Sequence, residues 1–293
     1  MSPDERAFLA GIAAHPDADL PRLVFADWLD ENGQPERAEF IRLEIELAHG
    51  VVNPFIRRKL IARRDELFTP NEQVWRGPFP EGVKCEFRRG FIERCQCSAS
   101  TAITLSDQWV AFTPLREMAV TELAELEAWN HQFYTLPALS HLSTLDLAQQ
   151  QIVSSGWNLF CDRVDLAWLT TLVLNNNPLA PWDVGWMANA PFAKQLRELR
   201  LNGCSLGDAT VATLLNSPSF ESLQRLTLTG NSITPDILRV LMRSDTFWRL
   251  PRFELDCPDP YSPANNWTCQ LQVELQNLLA ARDSSHRAIP NSK

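Results

Sequence analysis

The sequence predicts an α/β solenoid, in which stacked units form a parallel sheet on the concave side and helices on the convex side, preceded by a small all-helical domain. Two observations lead to this prediction. A motif of spaced leucines recurs with a constant period in the second half of the chain. The first fifty residues instead carry helix-start signals, followed by apolar residues at helical spacing.

The period of the motif is 27 residues, because the four clearest copies of L-x-x-L-x-L-x-x-(N/C/Q)-x-(L/I) begin at Leu142, Leu169, Leu196 and Leu223. Residues 115–123 and 250–258 are degenerate copies, one period before and one after. Apolar residues beyond the motif keep the same phase, for example Phe160, Met187, Leu214 and Leu241. A period shared by so many positions indicates stacked structural repeats.

Each repeat divides into a strand and a helix. The L-x-L core alternates as a half-buried strand does, and the second half carries apolar residues at helical spacing. One repeat cannot bury its leucines alone, so stability is expected from the stacking of neighbours. A polar position after each strand is expected to hydrogen-bond buried backbone. Its occupants are Gln150, Asn177, Cys204 and Asn231.

This pattern resembles the leucine-rich repeat, and the resemblance covers residues 112–258. A 27-residue unit with a helical second half is similar to the ribonuclease-inhibitor-type subclass. The resemblance implies a leucine-rich-repeat solenoid.

Side chains between the consensus leucines are expected to face solvent on the concave side. They are small, polar and of both charges, which suits a protein partner, although a merely solvated sheet is an open alternative. Trp182 and Trp186, one helical turn apart, are a second candidate surface or simply core filling. The predicted partner-binding residues are Glu117, Asp146, Val173, Asn175, Glu198, Arg200, Asn202, Arg225, Thr227, Arg252 and Glu254.

Residues 1–50 predict three short helices. Ser2-Pro3-Asp4-Glu5 is a capping box with proline at the first helical position. Asp19 is expected to cap the second helix, Gly33 to end it, and Pro35 to start the third.

The segment 8–47 resembles the bacterial repeat-companion domain. Its family pattern runs FL-x-x-I-x-x-x-P, then RLV-aromatic-ADWL-(D/E)-x-x-G, then P-x-RAEFIRL, and the chain matches it along the whole segment. The resemblance implies a module placed at the N-terminus of bacterial proteins that carry repeats, with no assigned activity. Residues 74–95 resemble the bridge before such repeats, with GFIERCQC as the first strand of the sheet.

The dense charge of this domain allows two chemical interpretations, both disfavoured. A calcium loop with Gly33 at its sixth position would place Trp28 at the first ligand position, where an oxygen is required. An acid–base pair could be drawn from Asp27, Asp30 and Glu39, but no nucleophile or phosphate-binding glycine loop lies near them in the sequence, and the nearest histidine is on a different element.

The favoured interpretation of these charges is structural. Asp27 is expected on the packed side of the second helix, where an unpaired carboxylate is costly. Arg37 or Arg42 would neutralise it. Arg22 would pair with Asp30 or Glu31 at the end of its own helix. The predicted structural ion pairs therefore involve Asp27, Arg37 and Arg42.

The predicted organisation has five parts. They are a helical domain at 1–50, a basic helix and bridge at 51–84, repeats at 85–258, a capping helix at 259–283 and a disordered tail at 284–293. Within the second part, residues 55–68 form a basic amphipathic helix, which is interpreted as a solvated face rather than a phosphate site.

Composition limits the function. A net charge of −9 argues against nucleic acid as the main partner, and no apolar run approaches the length of a membrane span. The N-terminus lacks the layout of a signal peptide, which predicts a cytoplasmic location. The seven scattered cysteines are expected to be small core residues rather than metal ligands. No cofactor is predicted.

We therefore expect a non-enzymatic scaffold that binds an unidentified protein partner through the concave face. The alternatives are a regulator of a partner enzyme, working through the same face, and an enzyme with its site in the N-terminal domain.

Overall fold

The computed structural model describes residues 1–123, 131–152, 154–255 and 269–287. These residues form a mixed α/β protein with eight strands, hydrogen-bonded in chain order into one open sheet. The strands are β1 (Lys84–Arg88), β2 (Phe91–Ser98), β3 (Glu117–Thr121), β4 (Thr144–Asp146), β5 (Thr171–Val173), β6 (Glu198–Arg200), β7 (Arg225–Thr227) and β8 (Arg252–Glu254).

Twelve α-helices occur in the described ranges, and the chain divides into two compact units. The first unit comprises residues 1–119 and 136–142, and the second comprises 120–135 and 143–293. The helices are α1 (Pro3–Ala14), α2 (Leu20–Glu31), α3 (Pro35–Ala48), α4 (Pro54–Arg76), α5 (Ala99–Phe112), α6 (His131–Tyr134), α7 (Ser154–Arg163), α8 (Pro181–Asn189), α9 (Asp208–Asn216), α10 (Ile237–Arg243), α11 (Asp245–Arg249) and α12 (Cys269–Arg287).

The three predicted N-terminal helices are confirmed as α1 to α3. The capping box forms, with the Ser2 hydroxyl accepting from the Glu5 amide and the Glu5 carboxylate accepting from the Ser2 amide. The predicted cap of α2 is wrong, because the Asp19 side chain makes no capping hydrogen bond. It pairs instead with His49 at 2.7 Å, which joins the start of α2 to the end of α3.

The segment GFIERCQC lies in β2 and is not the first strand. β1 precedes it and pairs with it antiparallel, with Cys85 opposite Cys95. The tight turn Arg89-Gly90, with both φ angles positive, closes this hairpin. A side chain at Gly90 would have its Cβ 2.6 Å from Ile41 on α3, so the close approach of helix and turn requires glycine there.

In the second unit, the strands repeat with the predicted period. β4 to β8 are parallel, and each residue lies opposite the residue 27 positions later, as Leu145 does to Leu172. The central residues of these strands are buried on the same side as the helical core. They are Leu145, Leu172, Leu199, Leu226 and Phe253.

The polar position after each strand hydrogen-bonds buried backbone, as predicted. Asn177 is fully buried, and its Oδ1 accepts from the amides of Gln150 and Ile152 at 2.9 and 3.4 Å. Its Nδ2 donates to the carbonyls of Leu147 and Leu174, each at 2.8 Å.

Asn231, two periods later, makes the same four contacts. Its Oδ1 accepts from the amides of Cys204 and Leu206, and its Nδ2 donates to the carbonyls of Leu201 and Leu228. Each asparagine therefore ties the turn of its own repeat to that of the preceding repeat. The core prediction is confirmed for four cysteines (Cys95, Cys97, Cys161 and Cys204), whereas Cys85 is only partly buried. Burial raises the pKa of Cys204 to about 11. Residue 257, another predicted core thiol, lies outside the described residues.

The predicted C-terminal helix is present as α12, with Leu275 buried. It continues to Arg287, past the predicted boundary at residue 283. Residues 259–268 and 288–293 lie outside the described ranges.

Asn177→Ala is expected to lower the free energy of unfolding by about 3–5 kcal/mol, since four buried backbone groups lose their partner. Urea unfolding followed by circular dichroism measures this change. Asn189→Ala is the control, because the exposed Asn189 side chain donates only to Gly185 within α8. An equal effect of the two substitutions would contradict the proposed role of Asn177.

Candidate partner-binding face

The predicted binding residues of the second unit lie on the sheet face that alternates with the buried leucines. We call the outward side chains of β4 to β8, and the residues that directly follow these strands on the same side, the open face. The parallel register aligns them in two rows across the strands. One row is Thr171, Glu198, Arg225 and Arg252, and the other is Val173, Arg200, Thr227 and Glu254.

A chain of ion pairs crosses the open face from β6 to β8. The Glu198 carboxylate accepts from Arg200 Nε at 2.6 Å and lies 3.3 Å from a terminal nitrogen of Arg225. The other terminal nitrogen of Arg225 lies 2.8 Å from Glu254. These side chains are between one fifth and one half exposed, so each pair contributes up to about 1 kcal/mol. Their main effect is to hold charges of both signs in fixed positions.

Two predicted binding residues on either side of Arg200 are buried. Val173 is 6% exposed and Thr227 is 2% exposed, although both point to the open face. The Thr227 hydroxyl and the Nε–H of Arg225 have no hydrogen-bond partner among the described residues. Both groups can donate a hydrogen bond, and no acceptor among the described residues reaches either of them.

Three other predicted binding residues also serve the sheet itself. The Asn175 side chain accepts from the Asn202 amide, and the Asn202 side chain accepts from the Thr229 amide, both at 2.9 Å. Asp146 accepts from the Ala148 amide at 2.9 Å. The Asn175 and Asn202 oxygens therefore link successive strand ends, whereas the Asp146 oxygen holds the end of its own strand.

Glu117 lies in the first unit, where its carboxylate pairs with Arg88 at 2.6 Å. Arg252 is exposed and forms no ion pair within the described ranges. Among the tryptophans, Trp157 is fully buried against Phe160, whereas Trp182 is 58% exposed on α8.

Charged side chains of α2 and α3 form ion pairs, but the predictions for Asp27 and Arg37 need correction. Arg42 pairs with Asp27 at 2.6 Å and with Asp30 at 2.7 Å, which confirms its predicted role. The prediction that Asp27 lies on the packed side of α2 is wrong, since its side chain is 71% exposed. Arg37 forms no ion pair among the described residues; it donates to the Gly90 carbonyl at 2.5 Å instead.

The tertiary structure explains the position of Arg37. Its guanidinium lies 5.0 Å from the ring of Trp75 and 5.5 Å from that of Phe91, in an aromatic environment next to the hairpin turn. Burial lowers its pKa to about 9, so it stays charged at neutral pH. A carbonyl at the turn can accept from the guanidinium without a second buried charge.

Arg22 pairs with Glu93 on β2, and not with Asp30 or Glu31 as expected. The pair is 2.5 Å long and its two side chains are 0% and 5% exposed. Desolvation lowers the pKa of Arg22, and the Glu93 carboxylate partly offsets this effect. Arg89 also reaches Glu93, at 3.2 Å. No local sequence signal marks this pair, because its members are 71 residues apart.

The predicted basic helix lies in α4, and part of its positive charge is paired with carboxylates of α3. Arg63 makes a bidentate contact with Glu39, both bonds at 2.8 Å, and Arg64 lies 3.4 Å from Glu44. The Arg63 hydrogen bonds hold the pKa of the Glu39 carboxyl below its usual range.

Within the described ranges, no three His, Cys, Asp or Glu side chains are grouped as a metal site would require. No helix there combines the length and apolar character that a bilayer span needs. Comparison of the sequence with protein-family models and with curated proteins finds no match.

Arg22→Leu is expected to lower the free energy of unfolding by about 3–5 kcal/mol, because it leaves a buried carboxylate without its closest partner. Asp27→Asn is the control and should change it by less than about 0.5 kcal/mol, since that ion pair is exposed. Thermal and urea unfolding measure both. A large effect of Asp27→Asn would contradict this ranking.

Thr227→Val is expected to leave the free energy of unfolding unchanged or raise it by about 1 kcal/mol, because it removes a buried hydroxyl that has no partner. Thr170→Val is the matched comparison. The Thr170 hydroxyl donates to the Ser143 carbonyl at 3.2 Å, so this variant should be destabilised by about 1 kcal/mol. Destabilisation of Thr227→Val by the same amount would show that its hydroxyl is bonded in the folded protein.

Proposed function

We propose that the chain is a leucine-rich-repeat solenoid with an N-terminal repeat-companion domain, and that it is a protein-interaction scaffold. Its partner binds the open face. The observation that carries this proposal is the chain of ion pairs from Arg200 to Glu254. It fixes alternating charges next to two buried groups without a hydrogen-bond partner among the described residues, the Thr227 hydroxyl and the Arg225 Nε–H. Fixed charges of both signs favour a partner with a complementary pattern.

Several features support binding rather than catalysis. In the N-terminal domain, the carboxylates considered for acid–base chemistry are each paired with an arginine: Asp27 and Asp30 with Arg42, and Glu39 with Arg63. For Glu39, the Arg63 hydrogen bonds lower the pKa of the carboxyl and so stabilise its ionised form. Burial raises the pKa of the Cys161 and Cys204 thiols, which makes them poor nucleophiles.

A regulator that inhibits or activates a partner enzyme is the second candidate. It would use the same open face, and the charge pattern serves it equally well. The two candidates separate once a captured partner is tested for a change in its own activity.

The test of the proposed face is a charge-inverted variant that combines Glu198→Arg, Arg200→Glu, Arg225→Glu and Glu254→Arg. All three ion pairs remain possible and the net charge is unchanged, but the pattern of potential is reversed. Binding is measured by affinity capture with quantitative mass spectrometry and then with the purified partner. We expect a loss of affinity of at least about tenfold for the partner of the face.

The control for this experiment exchanges an exposed ion pair on α10, with Asp236→Arg and Arg239→Asp. Circular dichroism and melting curves establish that both variants are folded. If every protein captured by the wild-type chain binds the charge-inverted variant equally well, the open face is not the binding site.

A further inference from the structure

The N-terminal end of α4 carries an exposed group of apolar and basic side chains that the proposed function does not use. Every residue from 52 to 59 is exposed. Val52 is 95% exposed, Phe55 65% and Ile56 46%. Three cations follow directly in the sequence. We call the group Val52, Phe55, Ile56, Arg57, Arg58 and Lys59 the α4 tip.

Two further exposed apolar residues lie at the same end of the helical domain. Leu20 and Val24, one turn apart on α2, are 70% and 45% exposed. The contact between His49 Nε2 and the Asp19 carboxylate, at 2.7 Å, places the start of α2 next to the end of α3, from which the chain runs on to the α4 tip. Single exposed apolar residues are ordinary, but five at one end of a small domain indicate an interaction surface.

The cations of the α4 tip differ from those further along the helix. Arg63 and Arg64 are used against Glu39 and Glu44 of α3. Within the described ranges, Arg57, Arg58 and Lys59 form no ion pair, and Lys59 lies over the Phe55 ring at 4.6 Å. The tip therefore has a local charge of about +3, in a chain whose net charge is −9.

We propose that the α4 tip binds an acidic segment of a partner protein that also carries apolar side chains, such as one face of an amphipathic helix. Charge complementarity selects this occupant. The three cations require carboxylates, and the apolar residues require an apolar counter-surface. A second copy of the chain would bring a further group of cations into contact with the first. Nucleic acid has phosphates but offers little apolar surface to Val52 and Ile56.

An anionic membrane also offers both properties but is less well matched. Three basic residues contribute about 3 kcal/mol to the attraction of an anionic surface. The rest of the chain carries a net charge of about −12 and is repelled by that surface. A short acidic segment, in contrast, meets only the local positive charge of the tip.

The experiment uses the full chain and a fluorescent amphipathic peptide of about 15 residues with one leucine face and one glutamate face. Fluorescence anisotropy should detect saturable binding that weakens as salt is added. The double variant Phe55→Ser with Ile56→Ser should lose at least about tenfold in affinity, because two apolar contacts are removed. The triple variant Arg57→Glu, Arg58→Glu and Lys59→Glu should lose as much.

The matched control replaces three other exposed cations, with Arg6→Glu, Lys194→Glu and Arg239→Glu, and so changes the net charge equally. Its affinity should stay within about twofold of the wild-type value. All substituted residues are exposed, so the variants are expected to melt at the wild-type temperature.

Three results would overturn the proposal. The first is that a peptide in which serine replaces every leucine binds with the same affinity as the leucine–glutamate peptide, because the attraction would then depend on charge alone. The second is no binding of the leucine–glutamate peptide. The third is binding to phosphatidylserine vesicles or to single-stranded DNA that depends on the tip and exceeds binding to the peptide. The open face plays no part in this assay, so its outcome is independent of the proposed function.

Discussion

The parallel strands of the second unit depend on one constraint, the need to satisfy buried backbone at the turn after each strand. In this turn the chain leaves the sheet ladder, so its amides and carbonyls lose their strand partners while they are still in the interior. Asn177 and Asn231 each supply two acceptor contacts and two donor contacts there. An amide side chain suits this position, because it can donate and accept at the same time. Where the repeats have Gln150 or Cys204 instead of asparagine, part of this bonding is kept. Gln150 donates to the Ala148 carbonyl, and the Cys204 thiol donates to the Leu174 carbonyl.

The first unit is held together differently. Three helices pack their apolar faces against each other and against Phe91 of the hairpin. The buried pair of Arg22 and Glu93 joins α2 to β2, and Arg37 joins α3 to the hairpin turn through the Gly90 carbonyl. Buried charged contacts of this kind contribute little net stability when intact, but they are costly to break and so specify one arrangement. The arrangement also explains the glycine at the turn, where α3 leaves no space for a side chain.

The open face follows from the same strand register. Since residues 27 apart lie side by side, the sequence places Glu198 beside Arg225 and Arg225 beside Arg252, and the charges interact across strands. The ion pairs hold these side chains in fixed positions, which would reduce the entropy lost if the proposed partner binds there. The α4 tip has the opposite character, since its cations and apolar groups have no such internal partners among the described residues.

The sequence by itself determined the three N-terminal helices, the 27-residue register and the role of the turn asparagines. These follow from local chemistry and from a period that many residues share. It also narrowed the partner of Asp27 to Arg37 or Arg42, because the two helices are neighbours in the chain, and the structure shows that Arg42 is the partner. Only the tertiary structure decided the partners of Arg22 and Arg37 and the place of β1. The pair Arg22–Glu93 joins residues whose separation in the chain carries no periodic signal. A buried arginine can be satisfied by any carboxylate or carbonyl that the fold brings within reach, and that choice is made by packing.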